Sequence, residues 1–229
     1  VVLLAAAILA APAPGAEPVR IGLMAPLTGS WASEGQEMKR TVELLAAGVN
    51  AKGGLLGRKV EVVVEDDGGD PRTAALAAQR LASRRVAAVI GTYGSAVTEA
   101  AQGILDEAGV VHVANGSTAI RLTAKGLSLF FRTCPRDDEQ ARVAVATLAA
   151  TGAKKVAIVH DNTSYAKGLA DEAKKGLAAA GLKLVAFETV TPGERDTTTV
   201  LTKLKAAAPD VVFFSGYYPE AGLLLRQKR

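Results

Sequence analysis

Three apolar runs begin at Lys154, Leu182 and Asp210, about 28 residues apart, and each is followed by a stretch long enough for a helix. That interval is the length of one strand plus one helix, so the runs read as consecutive βα units. The first half repeats the alternation, with strands expected at Val19 to Met24, Lys59 to Glu65, Val86 to Ile90, Val110 to Ala114 and Ser128 to Arg132. Strands that alternate with helices imply an α/β protein with mostly parallel sheets flanked by helices on both faces.

Local signals agree with this reading. The helix after the first strand runs to about Asn50, where Gly53, Gly54 and Gly57 stop it. Lys59 to Glu65 alternates charged and β-branched residues, which suits a strand near a sheet edge. Asp70 and Pro71 form a helix start, the carboxylate capping free N–H groups and the proline occupying the first helical position. Ala74, Ala77 and Leu81 then share one face, as do Leu169, Ala173 and Leu177, and Val200 with Leu204 behind the polar Asp196-Thr197-Thr198 segment. From Arg132 to Asp138 the pattern changes to a polar stretch with a proline, and the crossing between two lobes is placed there. Residues 17 to 134 are expected to form the first lobe and 135 to 229 the second. Three strands leave the second lobe incomplete.

Residues 1 to 16 carry no charge and open on the apolar run Val1 to Ala11, too short to span a bilayer as a helix. They read as a secretory signal that lacks an initiator Met and a basic leader, with Pro12, Pro14 and Gly15 breaking any helix there. Export leads to an oxidising compartment, yet Cys134 is the single cysteine and no intramolecular disulfide forms. The chain is 49% hydrophobic and 22% charged, which excludes a disordered chain. A net charge of +4 spread along the sequence does not point to nucleic acid, and Arg226-Gln227-Lys228-Arg229 reads as the solvated face of a helix.

Two strand ends carry the candidate site. Val89-Ile90-Gly91-Thr92-Tyr93-Gly94-Ser95 and Ala114-Asn115-Gly116-Ser117-Thr118 are apolar runs that end abruptly in glycine and hydroxyl residues. Such loops offer hydroxyls, N–H groups and carbonyls, without a nucleophile–base pair or a metal cluster, so they suit holding a small polar or zwitterionic ligand. Gly91 to Ser95 matches neither the dinucleotide glycine fingerprint nor a nucleophile elbow, so no enzyme is expected. Asp66, Asp67 and Asp70 read as turn and cap chemistry, His112 as a packed strand residue, and His160 as a hinge or rim candidate. No cofactor or metal is called for.

Further segments fall in a consistent order: Asn50-Ala51-Lys52-Gly53-Gly54, Asp66-Asp67 with Asp70-Pro71, Val89-Ile90-Gly91, Leu122 to Gly126, Arg132-Thr133, Ile158 to Asp161, Tyr165 with Gly168-Leu169, and Gly216 to Glu220 with Leu225-Arg226-Gln227. In this order the chain resembles the periplasmic substrate-binding proteins of branched-chain amino acid ABC transporters, the leucine/isoleucine/valine type. The resemblance implies the two-lobe type I periplasmic-binding-protein fold, with an amino acid trapped when the lobes close. It also implies a monomeric, periplasmic carrier with no membrane span of its own, delivering its cargo to an inner-membrane ABC permease. A ligand-sensing module of the same fold, such as a receptor ectodomain or amide sensor, is the alternative.

Carried over residue by residue, the resemblance assigns the ligand carboxylate to Ser95 and Thr118 and an ammonium-accepting carbonyl to Gly116, with Ser117 a neighbouring candidate. Tyr165 and Tyr217 close over the ligand from the second lobe. The chain departs from the family where Glu34 replaces a tyrosine in the loop after the first strand, with Trp31 three residues earlier. Trp31 is a candidate wall of the side-chain pocket. Glu34 is either a group favouring a polar or cationic ligand or an exposed helix carboxylate. Gly69 and Gly94 stand where some members pair two cysteines. The family continues well past Arg229, so the C-terminal part of the fold is expected to be missing here, together with the acidic partner of the ligand ammonium. Loss of such a charge-assisted bond typically costs about 1.5 to 3 kcal/mol.

Overall fold

The computed structural model describes residues 17–228, and the signal-like segment 1–16 lies outside the described residues. Five parallel strands, β1 (Val19–Ala25), β2 (Val60–Asp66), β3 (Ala88–Ile90), β4 (Val111–Ala114) and β5 (Phe130–Arg132), form one sheet in the order β2-β1-β3-β4-β5. The helices α1 (Ala32–Ala51), α2 (Pro71–Ser83), α3 (Ser95–Glu107) and the short α4 (Arg121–Ala124) connect them. Three further parallel strands, β6 (Lys155–His160), β7 (Lys183–Thr189) and β8 (Val211–Ser215), form a second sheet in the order β7-β6-β8. It carries α5 (Asp137–Ala150), α6 (Ser164–Leu177), α7 (Thr198–Ala207) and α8 (Tyr218–Gln227).

Burial follows strand position. β1 is central, and Leu23, Met24 and Ala25 are wholly buried, with Leu23 in register between Val64 and Ile90. β2 lies at the edge, and its outward Glu61 pairs with Arg20 at 3.2 Å on the neighbouring strand. Met24, Val63, Val89 and the α2–α3 residues Ala77, Leu81, Ala101 and Leu105 close the first core. In β6 the alternation puts Val156 and Ile158 against α5 and α6, and Ala157 and Val159 with Val200 and Leu204 of α7 and Leu224 of α8. The second sheet is therefore covered on both faces.

The expected helix start at α2 is present in full. The Asp70 carboxylate accepts from the N–H groups of Arg72 and Thr73 at 3.0 and 2.9 Å, and Pro71 is the first helical residue. Ala74, Ala77, Ala78 and Leu81 make the buried face, one residue wider than the expected stripe. β3 starts at Ala88 instead of Val86, because only Ala88 to Ile90 finds register partners on both β1 and β4. After β5 the chain leaves the first sheet and enters α5, which packs on α6.

Some apolar surface stays open. Leu44, Leu45 and Val49 on α1, Leu56 beyond it, Phe131 on the edge strand β5 and Val212 on the edge strand β8 are exposed. Among the described residues no helix is long and apolar enough to cross a membrane.

Candidate functional site

In a parallel sheet all strands deliver their loops to the same edge, and ligands gather outside those carboxyl ends. Here the loop after β1, with Ser30 and Trp31, and the turn after β3, with Tyr93 to Ser95, meet the segments after β6 and β8, with Thr163 to Tyr165 and Tyr217. They enclose a cavity of about 460 Å³ lined by Trp31, Gly69, Val97, Tyr165, Tyr217 and Glu220, among others.

Four aromatic rings form the seam between the two sheets. Tyr217 is the hub, with ring centroids 4.1 Å from Trp31, 5.7 Å from Tyr93 and 5.3 Å from Tyr165. Trp31 meets Tyr93 edge-on at 5.7 Å. Two glycines make the slot for the indole: a Cβ at Gly69 would lie 2.7 Å, and one at Gly94 2.8 Å, from Trp31 ring atoms. The positions noted for their missing cysteines are thus filled by an aromatic side chain. Tyr217 is fixed from behind by Asp161, wholly buried, whose Oδ2 accepts from the Tyr217 N–H at 2.8 Å while Oδ1 accepts from the Thr163 N–H and hydroxyl at 3.0 and 2.7 Å. That carboxylate ties the end of β6 to the end of β8.

Below the seam, Ser95 opens α3. The preceding Gly94 provides no side-chain cap, so the first N–H groups of the helix face the cleft with their partial positive charge. The Tyr217 hydroxyl lies against this turn, 3.2 Å from where a Cβ at Gly94 would stand. Ser95 Oγ accepts from the Ala119 N–H at 3.2 Å, joining this helix end to the loop after β4. In that loop Thr118 is buried and its Oγ1 has no hydrogen-bond partner.

A chain of buried hydroxyls supports the loop. Thr92 bonds Thr98, Thr98 Oγ1 lies 2.5 Å from Ser117 Oγ, and the Ser117 hydroxyl lies 3.2 Å from the carbonyls of Thr92 and Tyr93. The Ser117 side chain is therefore turned into the lobe, away from the cavity. At Gly116 the group that approaches is Tyr93, whose carbonyl would stand 2.9 Å from a Cβ, so the glycine is required by packing inside the lobe. Gly91, at φ +113°, leaves no room either: a Cβ would sit 1.9 Å from the Met24 carbonyl.

Glu34 lies in the first turn of α1, outside the aromatic seam. It accepts from Ser33 Oγ at 2.7 Å and lies close enough to Tyr93 and Tyr218 to push both phenols up, after burial in each case. Burial, with Asp137 next, pushes Tyr165 up to about 12, and burial, then Tyr165 and Asp161, raises Tyr217 as well. The seam phenols stay protonated and keep their O–H donors at neutral pH. Asp137 is also buried and raised by burial; the Thr118 hydroxyl, which lies near this carboxyl but outside hydrogen-bond geometry, opposes the shift together with Arg132 and Arg121.

Among the candidates, Trp31, Tyr165 and Tyr217 line the cavity, while Ser95 and Thr118 are buried beneath the seam and lie outside its lining. Ser117 and Gly116 support from within, and Glu34 lies at the rim. Tyr93, Asp161, Asp137 and Tyr218 were not singled out by sequence reasoning. Tyr93 had a readable signal, an aromatic residue between two strand-end glycines, but the hydroxyl beside it drew the reading. Asp161 and Asp137 act through burial and hydrogen bonds made across the fold, which adjacency in sequence does not display. His112 is packed as expected, its Nε2 2.6 Å from the Gly91 carbonyl and its ring edge-on to Phe130. His160 is buried on Phe187, with Nδ1 accepting from the Asn162 N–H at 3.1 Å. The Asp66 carboxylate, though burial pushes it up, is held below its ordinary value by bonds from Thr28, Gly68 and Leu27. No group of three metal-ligating side chains occurs among the described residues.

Comparison with known proteins gives a consistent picture. The family described as periplasmic binding protein matches residues 18–229. A Leu/Ile/Val-binding protein of Rhizobium johnstonii is 41% identical over 210 residues, covering 91% of this chain and 57% of its own length. An amino acid binding protein of Pseudomonas aeruginosa is 41% identical over 213 residues, covering 92% and 57%. Among solved structures, the substrate-binding protein of a branched-chain amino acid transporter from Streptococcus pneumoniae, in complex with isoleucine, superposes with a TM-score of 0.87 at 32% identity, covering 93% of this chain and 61% of that one. A leucine binding protein of Thermotoga maritima gives a TM-score of 0.84 at 29% identity, covering 92% and 60%. The chain spans a little under three fifths of the length of the curated relatives it matches.

Proposed function

Because the chain belongs to the periplasmic binding protein family, matched over residues 18–229, we propose that it captures a branched-chain or related amino acid in the cleft between its lobes, residues 17–134 and 135–229. The captured ligand is handed to an ABC permease of the inner membrane. The protein is an extracytoplasmic carrier and not an enzyme. The relatives that bind leucine, isoleucine or valine support this reading.

The observation that carries the proposal is the Thr118 hydroxyl. It is buried without a partner in hydrogen-bond geometry, between the uncapped N-terminal end of α3 and the Asp137 carboxyl. A buried hydroxyl left unpaired costs about 1 to 3 kcal/mol, which a ligand oxygen accepting its proton recovers. In this reading the ligand carboxylate takes the Ser95 and Thr118 donors, where the helix end favours an anion. The Gly116 carbonyl accepts from the ammonium, and Trp31, Tyr165 and Tyr217 present apolar ring faces to the side chain.

The test is thermal stability of the full-length gene product against amino acids, sugars and inorganic anions. A true ligand at a hundred times its dissociation constant stabilises by about 2.7 kcal/mol. Stabilisation by leucine, isoleucine or valine is expected. Stabilisation by sugars or anions with no response to any amino acid rejects the reading.

A further inference from the structure

Next to the aromatic seam, and outside the proposed ligand contacts, one side chain spans from the second lobe to the first. Tyr218, the first residue of α8, reaches across so that its hydroxyl donates to the Ser30 carbonyl at 2.7 Å and meets Ser33 Oγ at 2.9 Å. The Ser33 hydroxyl also lies 2.7 Å from Glu34, so with the Tyr218 proton on Ser30 its single proton serves either that carboxylate or the Tyr218 oxygen. The Ser30 carbonyl and the Ser33 hydroxyl flank Trp31, so Tyr218 clasps the same loop whose indole stacks on Tyr217. Two adjacent tyrosines thus divide the work, Tyr217 facing the cavity and Tyr218 holding its rim. A further side-chain hydrogen bond between the lobes joins Arg121 to Ser164 at 2.8 Å, with Arg121 already paired to Glu99.

We propose that Tyr218, through Ser30, Ser33 and Glu34, is a closure clasp that sets how long the cleft stays shut and so how slowly ligand leaves. The proposal rests on the reading of the cleft as a binding site that closes between lobes. The clasp bonds exist only when α8 and the β1–α1 loop are in contact, so they stabilise the closed form and not the open one. Ligand entry precedes clasping and exit requires its rupture. The effect therefore falls on dissociation, with association nearly untouched. Tyr218 is partly exposed and α8 does not need its hydroxyl to fold, so removing that oxygen leaves the lobes intact.

The experiment uses the full-length protein labelled with dyes after Arg72→Cys and Arg195→Cys, at exposed positions one on each lobe, in a Cys134→Ser background. Single-molecule energy transfer reads the closed fraction without ligand. Tyr218→Phe and Ser33→Ala each lower the closed-to-open ratio about threefold or more, while the melting temperature is unchanged. Equal ratios in wild type and both variants overturn the clasp, whatever the ligand proves to be. A stopped-flow arm with leucine adds the kinetic signature: in Tyr218→Phe dissociation is at least threefold faster and association is within twofold of wild type. Failure of wild type to bind leucine or any other amino acid counts against the amino acid reading alone, because the ligand-free ratio still decides the clasp.

Discussion

Thr118 and Trp31 carry opposite kinds of information. Thr118 holds an unpaired buried hydroxyl, so Thr118→Val, which keeps the shape and removes the polar atom, is expected to leave ligand-free stability unchanged or raise it by up to about 1 kcal/mol. The same change weakens amino acid binding at least tenfold, and the two effects are read from urea denaturation and calorimetry on one sample. Loss of stability without loss of binding would assign the hydroxyl to the fold. Trp31 is the single tryptophan, so the intrinsic emission reports on the seam. A methyl at position 94 meets the indole at 2.8 Å and the Tyr217 hydroxyl at 3.2 Å. Gly94→Ala is expected to expel the ring, shift the emission to the red and cost about 1 to 3 kcal/mol. An unchanged spectrum contradicts the slot. Ser95 was legible in the sequence because glycine followed by a hydroxyl at a strand end has a local cause. Tyr93 and Asp161 act through partners on other strands, and no neighbour in sequence announces them.

The elements themselves were readable because each is locally consistent. Alternation with a βα period gave the parallel sheets, and Asp70-Pro71 gave the start of α2. Asp70→Ala removes two capping bonds, and a loss of about 1 kcal/mol by denaturant titration is expected. What the pattern did not reveal is how strand ends bury charge. Asp67, after β2, is wholly buried with Oδ2 unpaired, and burial pushes it up to about 6. Because the folded value exceeds the unfolded one, this group's stability contribution is fully present below about pH 4. It is lost as pH rises through about 6, a difference of about 3 kcal/mol. His112, inside β4, is lowered by burial to about 4, so its contribution is present above about pH 6.5 and lost as pH falls toward 4. The two slopes oppose one another within one lobe. Asp67→Asn is expected to unmask His112, so that stability rises with pH between about 4 and 6.5 more steeply than in wild type. Parallel profiles for the two proteins would show that Asp67 is not the opposing group.

At the scale of the whole molecule, two parallel sheets present their loop-bearing ends to one cleft, and the contacts across it are aromatic with a few hydrogen bonds. Such a seam is suited to opening and closing, because stacked rings and a few hydrogen bonds part as a unit. Leu44 and Leu45 on α1 and the edge strands β5 and β8 are open in residues 17–228. That stretch is expected to self-associate with rising concentration, and a sedimentation coefficient independent of concentration would contradict this. The central claim is that the α3 end holds the carboxylate of an amino acid. Isothermal titration of the full-length protein with leucine and with 3-methylbutylamine, the same molecule without its carboxylate, tests it most directly. The account predicts saturable binding of leucine and at least a hundredfold weaker binding of the amine. Equal affinity for both, or no heat with any amino acid, would contradict it.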